Sequence, residues 1–408
     1  MNLSFKIAQR YIISKKSTNA INIIAGVSVV GMLVGTTALL LVLSTFNGFE
    51  DLVTSLYDTF NPDLKVSAKM GKTFEADSTK IERIKQLDDV VDVSLVLEEN
   101  ALVQYNGKQY IFRLKGVDEA YEKVTQIDTA VVEGNFELMN GYQNYAVVGS
   151  GVAALLGINV QNQFRKLQVY MPKRDQRAST MKPENAFKQD ILRPHGVFFI
   201  QQDFDNKYII VPLRFMLSLL NYENNVSALE VGLVENANSE TVKAEIKAIL
   251  GDDFHIKNRF EQDEFLYKVM RTEKWAVYLI LTFILIVAAF NMIGSLSMLV
   301  IEKKRDIGIL KAMGASKGFI KKIFLIEGIL LSLIGAGFGM FIAVVMCLVQ
   351  QHFKILSLGE SFLIDAYPVS MRIGDFMLVF VTVGIIATLA SIFPAYRAAE
   401  QSQLLKED

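Results

Sequence analysis

Apolar residues in this chain gather in long unbroken blocks. Four such runs, Ile21–Phe46, Trp275–Val300, Ile323–Val349 and Asp375–Pro394, match the roughly 30 Å of a hydrocarbon core, which takes about 20 helical residues to cross. Trp275–Val300 carries no charge, and Ile323–Val349 carries only Glu327, near its start. Between the first two runs, 47–274 alternates polar and apolar positions like an ordinary globular domain. The pattern predicts an α-helical membrane protein with four transmembrane helices and a large α+β outer domain inserted between helices 1 and 2. Its segments are an amphipathic N-terminal helix (1–20), the spans 21–46, 275–300, 323–349 and 375–394, and the inserted domain with its stalk (47–274). The remaining pieces are a connecting loop (301–322), a short loop (350–374) and a tail (395–408).

Lys and Arg placement sets the expected orientation. The N-terminal segment has Lys6, Arg10, Lys15 and Lys16 and no acid. The 301–322 loop has Lys303, Lys304, Arg305, Lys311, Lys317, Lys321 and Lys322 against Glu302 and Asp306, whereas 350–374 has only Lys354 and Arg372 among its basic residues. Both termini and the connecting loop are therefore expected in the cytoplasm and the inserted domain outside. The first apolar run exceeds the roughly 7–15 residues of a signal-peptide core and no A-x-A site follows, so it reads as an anchor.

Within the inserted domain, Leu64–Ala68, Leu167–Met171, Val197–Ile200 and Ala228–Val234 read as strands. Val91–Val103 and Tyr110–Gly116 flank Asn106-Gly107, a strong hairpin signal. Ser78–Leu87, with Ser78 as N-cap, Ser150–Leu156, and Glu240–Leu250 closed by Gly251 read as helices. Phe260–Lys274 reads as a helix running straight into the second span.

Composition adds little: mean hydropathy is +0.30 with 51% hydrophobic and 21% charged residues, and a net charge of −1 averages over compartments. The one cysteine, Cys347, lies in the third run, so the outer domain must be stable without a disulfide. Enzyme signatures are missing. Gly314–Phe319 lacks P-loop spacing, no HExxH or GxSxG occurs, and His195, His255 and His352 are isolated. No catalytic residue and no metal site are expected.

The most informative stretch is Glu302–Ser316, EKKRDIGILKAMGAS. As a helix it places Ile307, Leu310, Lys311 and Gly314 on one stripe and Ile309 and Met313 on an adjoining one. Gly314 is suited to end that helix in a left-handed conformation and Ser316 to cap the next. Glu327 is expected to snorkel or to pair with Lys321 or Lys322. Two readings fit the loop: a basic segment lying on anionic lipid, or a coupling helix seated in a groove of an ATPase. Gly308, Ala312, Gly314 and Ala315, whose small side chains admit a close partner, favour the second.

NMIGSLSMLVIEKKRDIGILKAMGAS (Asn291–Ser316) resembles the hallmark segment of the permeases of the FtsX/MacB superfamily of ABC transporters, and within it the lipoprotein-releasing permeases LolC and LolE. Ala8–Glu50, with a first span ending in NGF, and Ala387–Glu400, closing on PA-x-x-AA, are similar to the same family. The resemblance implies a permease subunit that works by mechanotransmission. A separate ABC ATPase dimer, which binds ATP and Mg, drives release of triacylated lipoproteins from the bacterial inner membrane to a periplasmic carrier. It implies a coupling helix built from Glu302, Lys303, Lys304, Arg305, Asp306, Ile307, Gly308, Leu310, Lys311, Met313, Gly314 and Ala315. It implies partners in membrane lipids and a second permease, which is either another copy or a homologous chain, and none in nucleic acid.

The same resemblance places a carrier-binding hook in the long basic segment Met171–Pro194, at Arg174, Arg177, Lys182, Pro183, Lys188 and Arg193; a merely mobile loop is the other reading. An apolar cradle for acyl chains is expected between spans one and two, at Leu40, Leu43, Phe46, Phe49, Leu279 and Phe283. Burial there is worth about 0.8 kcal/mol per CH₂. Two other outcomes stay open: an FtsX-like regulator of a cell-wall hydrolase, and a MacB-like efflux partner. Small residues Gly26, Gly31, Gly35, Gly335 and Gly339 permit close helix contacts, either within the subunit or between two.

Overall fold

The computed structural model describes residues 3–13, 19–162, 164–172, 187–357 and 366–400. They divide into two compact units, Met1–Leu52 with Lys268–Asp408, and Val53–Tyr267. Among the described residues four helices are long and apolar enough to cross a membrane. The first span helix lies in Asn19–Phe60, the second is Glu264–Glu302, the third Lys317–Phe353 and the fourth Ile373–Glu400.

In the helical unit, Leu39, Leu40 and Leu43 interlock with Leu285, Met292, Leu296, Val379 and Val383. Polar groups inside this apolar bundle meet partners on neighbouring helices, as burial demands. Thr37 donates to the Gly339 carbonyl at 3.0 Å, and the hydroxyls of Tyr278 and Thr382 lie 2.6 Å apart. A Cβ at Gly339 would stand 2.6 Å from the Leu33 carbonyl oxygen and one at Gly335 2.7 Å from that of Val29. These two glycines therefore serve packing inside the subunit. Glu327 does not snorkel: it is fully buried in the third span helix, because its position faces the bundle interior.

The Val53–Tyr267 unit is α+β. Its main sheet runs Phe254–Asn258, Leu64–Ala68, Ala228–Leu233, Val90–Tyr105, Lys108–Val117, Tyr208–Pro212, Gln143–Gly149, Phe187–Phe198, Val131–Gly134. Leu167–Pro172 pairs with both Val90–Tyr105 and Phe187–Phe198, so the middle of the sheet closes into a ring. Closure leaves those strands no free edge. Leu97, Val103, Phe112, Val148 and Val169 fill its core, together with Phe215 and Met216 from the helix Leu213–Leu220. The rest of the sheet is antiparallel and packs Leu64, Val66 and Val231 against the helices Ser78–Lys85 and Ser239–Leu250. The expected hairpin turns at Asn106 (φ 51°) and Gly107 (φ 82°).

Three expectations change. Asp77, not Ser78, caps its helix, because its carboxylate accepts from the Thr79 and Lys80 amides. The strand expected at Val197–Ile200 begins at Phe187, so much of Met171–Pro194 is hairpin stem, in register from Leu167↔Leu192 to Pro172↔Phe187. The helix expected from Phe260 is interrupted at Asp263. Asn258 and Glu261 form a capping box around Arg259–Gln262, and Asp263 turns its carboxylate to Asn61 at 2.6 Å. The strands Gln143–Gly149, Tyr208–Pro212 and Phe254–Asn258 were not anticipated.

Candidate coupling site

The segment after Glu302 folds as a short helix, Lys304–Ala312, with Lys303 at its N-cap. Nine residues make too few hydrogen bonds to be stable alone, since isolated helices under about 12–15 residues are marginal. Tertiary contacts hold this one. Ile307 is 2% exposed and packs with Leu299, Val300, Ile320, Phe324, Ala395 and Ala398, a burial worth about 1.5–3 kcal/mol. Lys311 donates to the Ala399 carbonyl of the fourth span helix at 3.2 Å. Gly314 ends the helix at φ +88°, with its amide on the Lys311 carbonyl and the Ala315 amide on that of Leu310. Ser316 then caps the third span helix by accepting from the Phe319 amide at 3.2 Å.

These contacts decide which face is free. Ile307 and Lys311, on one of the two stripes, are turned inward, and Ala315 packs beside them. Arg305, Gly308, Ile309 and Ala312 recur at i, i+3, i+4 and i+7 on the opposite side, and Met313 continues that side. Ile309 and Met313 are 60% and 80% exposed, and nothing lies within 4 Å of a Cβ built on Gly308. Lys304 and Arg305 are exposed beside them, and Asp306 sits 3.5 Å from Lys303. The site is thus a two-residue apolar knob on a small-residue floor with a basic rim, suited to a groove on another protein.

At the opposite end of the bundle, the NGF of the first span helix is explained by a polar clamp that sequence reasoning missed. Asn47 donates to Asp375 at 2.6 Å and to the Ser370 carbonyl at 3.1 Å, and accepts from Lys274 at 2.6 Å. Lys274 and Asp375 are 3.4 Å apart. A Cβ at Gly48 would overlap the Pro368 carbonyl, and Phe49 meets Tyr367 edge-on at 5.0 Å. Arg372 bridges Glu50 and Asp51 at 2.8 and 2.7 Å. Asn47, Lys274 and Asp375 lie far apart in the chain, so only the fold could reveal that they meet.

Other anticipated residues are scattered. Leu40 and Leu43 are inside the bundle core, Phe46 and Phe49 are half-buried, and Leu279 and Phe283 are exposed on the second span helix. Arg174, Arg177, Lys182 and Pro183 lie outside the described residues. Lys188 and Arg193 belong to the strand Phe187–Phe198, where Lys188 donates to the Ser218 carbonyl and Arg193 to the Gln143 side chain at 3.3 Å. Among the described residues no acidic, histidine or cysteine group has the clustering of a metal site.

Comparison with known proteins covers the whole chain. The FtsX-like permease C-terminal family matches residues 278–403 and the MacB-like periplasmic core domain family matches 25–249. The lipoprotein-releasing system transmembrane protein LolE of Haemophilus influenzae is 24% identical over 98% of both chains. The protein named LolC in Neisseria meningitidis is 25% identical over 97% of this chain and 96% of its own. The crystal structure of the periplasmic region of MacB from Actinobacillus actinomycetemcomitans covers 52% of this chain and 94% of that one, at 13% identity and a TM-score of 0.36. With more than half of its residues matched by one of these families, the chain belongs to the MacB-like periplasmic core domain family, joined here to an FtsX-like permease C-terminal domain.

Proposed function

We propose that this chain is a permease subunit of an ABC transporter that releases lipoproteins from the bacterial inner membrane to a periplasmic carrier. ATP and Mg are bound by a separate ATPase, which seats the Lys304–Ala312 helix in a surface groove. A second permease, identical or homologous, completes the complex. Full-length similarity to proteins named for lipoprotein release supports this reading. So does the excess of Lys and Arg around the connecting helix, which favours a cytoplasmic position for that helix and both termini.

The observation that carries the proposal is the free face of Ile309 and Met313 on a helix otherwise anchored to its own bundle. A segment lying on lipid would need no Gly308–Ala312 floor beneath such a knob. Force delivered there passes through Ile307 into the second, third and fourth span helices, whose residues surround it. Within these helices, acyl chains are taken up along apolar faces that include Leu279 and Phe283, and the outer hairpin meets the carrier. The test is Ile309→Asp with Met313→Asp. Burying a charge in an apolar groove is strongly unfavourable, so the ATPase should no longer co-purify with a chain whose melting temperature is unchanged. Undiminished co-purification would count against the coupling role.

A further inference from the structure

We infer that the N-terminal helix Leu3–Ile13 is a brace that fixes the connecting helix, with Tyr11 as the positioning residue. Ser4, Ala8 and Tyr11 recur at i, i+4 and i+7. Ser4 and Ala8 are 1% and 0% exposed, whereas Leu3 and Phe5 on other faces are 60% and 40% exposed. The two small side chains let this helix lie directly against the third span helix. Its apolar outer residues suit an interfacial position.

Tyr11 is where the brace meets the lever. Its ring lies 6.4 Å from that of Phe324 on the third span helix, and the Lys303 ammonium stands 5.1 Å above it. The carboxylate of Asp306, in the first turn of the connecting helix, is near enough for its charge to act on the phenol. Lys303 in turn lies 3.5 Å from Asp306. One side chain therefore meets the residue before the helix and the span that follows it, and stands beside the helix's first turn. Burial first, and then the Asp306 charge, push the phenol up to about 12, so at neutral pH it keeps its proton and stays uncharged beside that carboxylate. Ile307 fixes one side of the connecting helix and Tyr11 fixes its start. Without the contact at its start, the first turn of the helix is free to swing about the Ile307 and Lys311 anchors, and a push on Ile309 and Met313 would be absorbed as rotation.

The consequence for an ATPase rests on the coupling role proposed above; the brace itself does not. The experiment is hydrogen exchange on the full chain in detergent, first alone and then with its ATPase, for Tyr11→Ala and for the near-isosteric Tyr11→Phe and Asp306→Asn. In the chain alone, Tyr11→Ala should speed exchange of the 304–312 amides about tenfold, and the two conservative variants about threefold, with the rest of the bundle unchanged. Should Tyr11→Ala fail to fold, the two conservative variants decide. Unchanged exchange at 304–312 in the folded variants overturns the brace. Faster exchange together with weaker ATPase binding supports both ideas. Faster exchange with undiminished ATPase binding upholds the brace and counts against the coupling role alone.

Discussion

Lys115 sits 1% exposed in the sheet of the outer domain, with its ammonium 3.0 Å from Glu230 and the rings of Phe60 and Tyr121 at 4.3 and 4.8 Å. Lys65 reaches the same glutamate at 3.5 Å and Glu98 at 3.1 Å. Burial works against the charge on Lys115, but Glu230, Tyr121 and Glu98 together outweigh it and hold the pKa above the ordinary lysine value. Breaking a buried pair from one side costs about 3–5 kcal/mol, whereas replacing both partners with apolar residues is often close to neutral. Lys115→Met should therefore lower the domain's unfolding free energy by about that much, and adding Glu230→Leu should restore part of it, as read by denaturant titration. Asp205 responds to pH. It accepts from the Ile200 amide at 2.9 Å, yet burial dominates and lifts its pKa from 3.8 to about 6. The native state then holds more protons than the unfolded chain between these values, so this group's stabilisation is present below pH 3.8 and is lost as pH rises through about 6. Asp205→Asn should remove that slope from a series of thermal melts. Neither group was legible beforehand. Lys115 occupies one position of an alternating strand, and its partner is 115 residues away in sequence.

The connecting helix was legible in its ends and not in its faces. Capping is local chemistry: a glycine after the last apolar residue and a serine two residues later suffice, and both behave as expected. Which stripe points outward depends on Ile307 and Lys311 finding the fourth span helix, about 90 residues further on, and no local pattern carries that information. The space around Gly314 is open, so a side chain there meets only the strain of φ +88°. For a β-branched residue that strain is about 1–2 kcal/mol. Gly314→Val should re-aim Ile309 and Met313 and weaken ATPase binding several-fold in a direct titration. Gly314→Asn, which tolerates the conformation, should retain most of it.

At the scale of the molecule, the bilayer makes the four spans and the inserted domain readable, because only long apolar helices satisfy their backbones in hydrocarbon. The closed ring of strands was not readable, since it depends on Leu167–Pro172 finding a strand more than 60 residues earlier. The clamp of Asn47, Lys274 and Asp375 joins the first, second and fourth span helices at the end of the bundle away from the connecting helix. Asn47→Leu removes its shared donor and acceptor and leaves buried polar groups wanting partners, at a cost of about 1–3 kcal/mol. It should lower the melting temperature and impair substrate release while leaving ATPase co-purification intact. Release itself is the measurement to make first. The chain and its ATPase, in proteoliposomes loaded with a labelled triacylated lipoprotein, are given ATP and the soluble carrier. Transfer of label to the carrier that requires ATP, and that is lost with Ile309→Asp and Met313→Asp, is the expected result. ATP hydrolysis that depends on the permease but leaves every lipoprotein in the membrane would contradict a role in lipoprotein release.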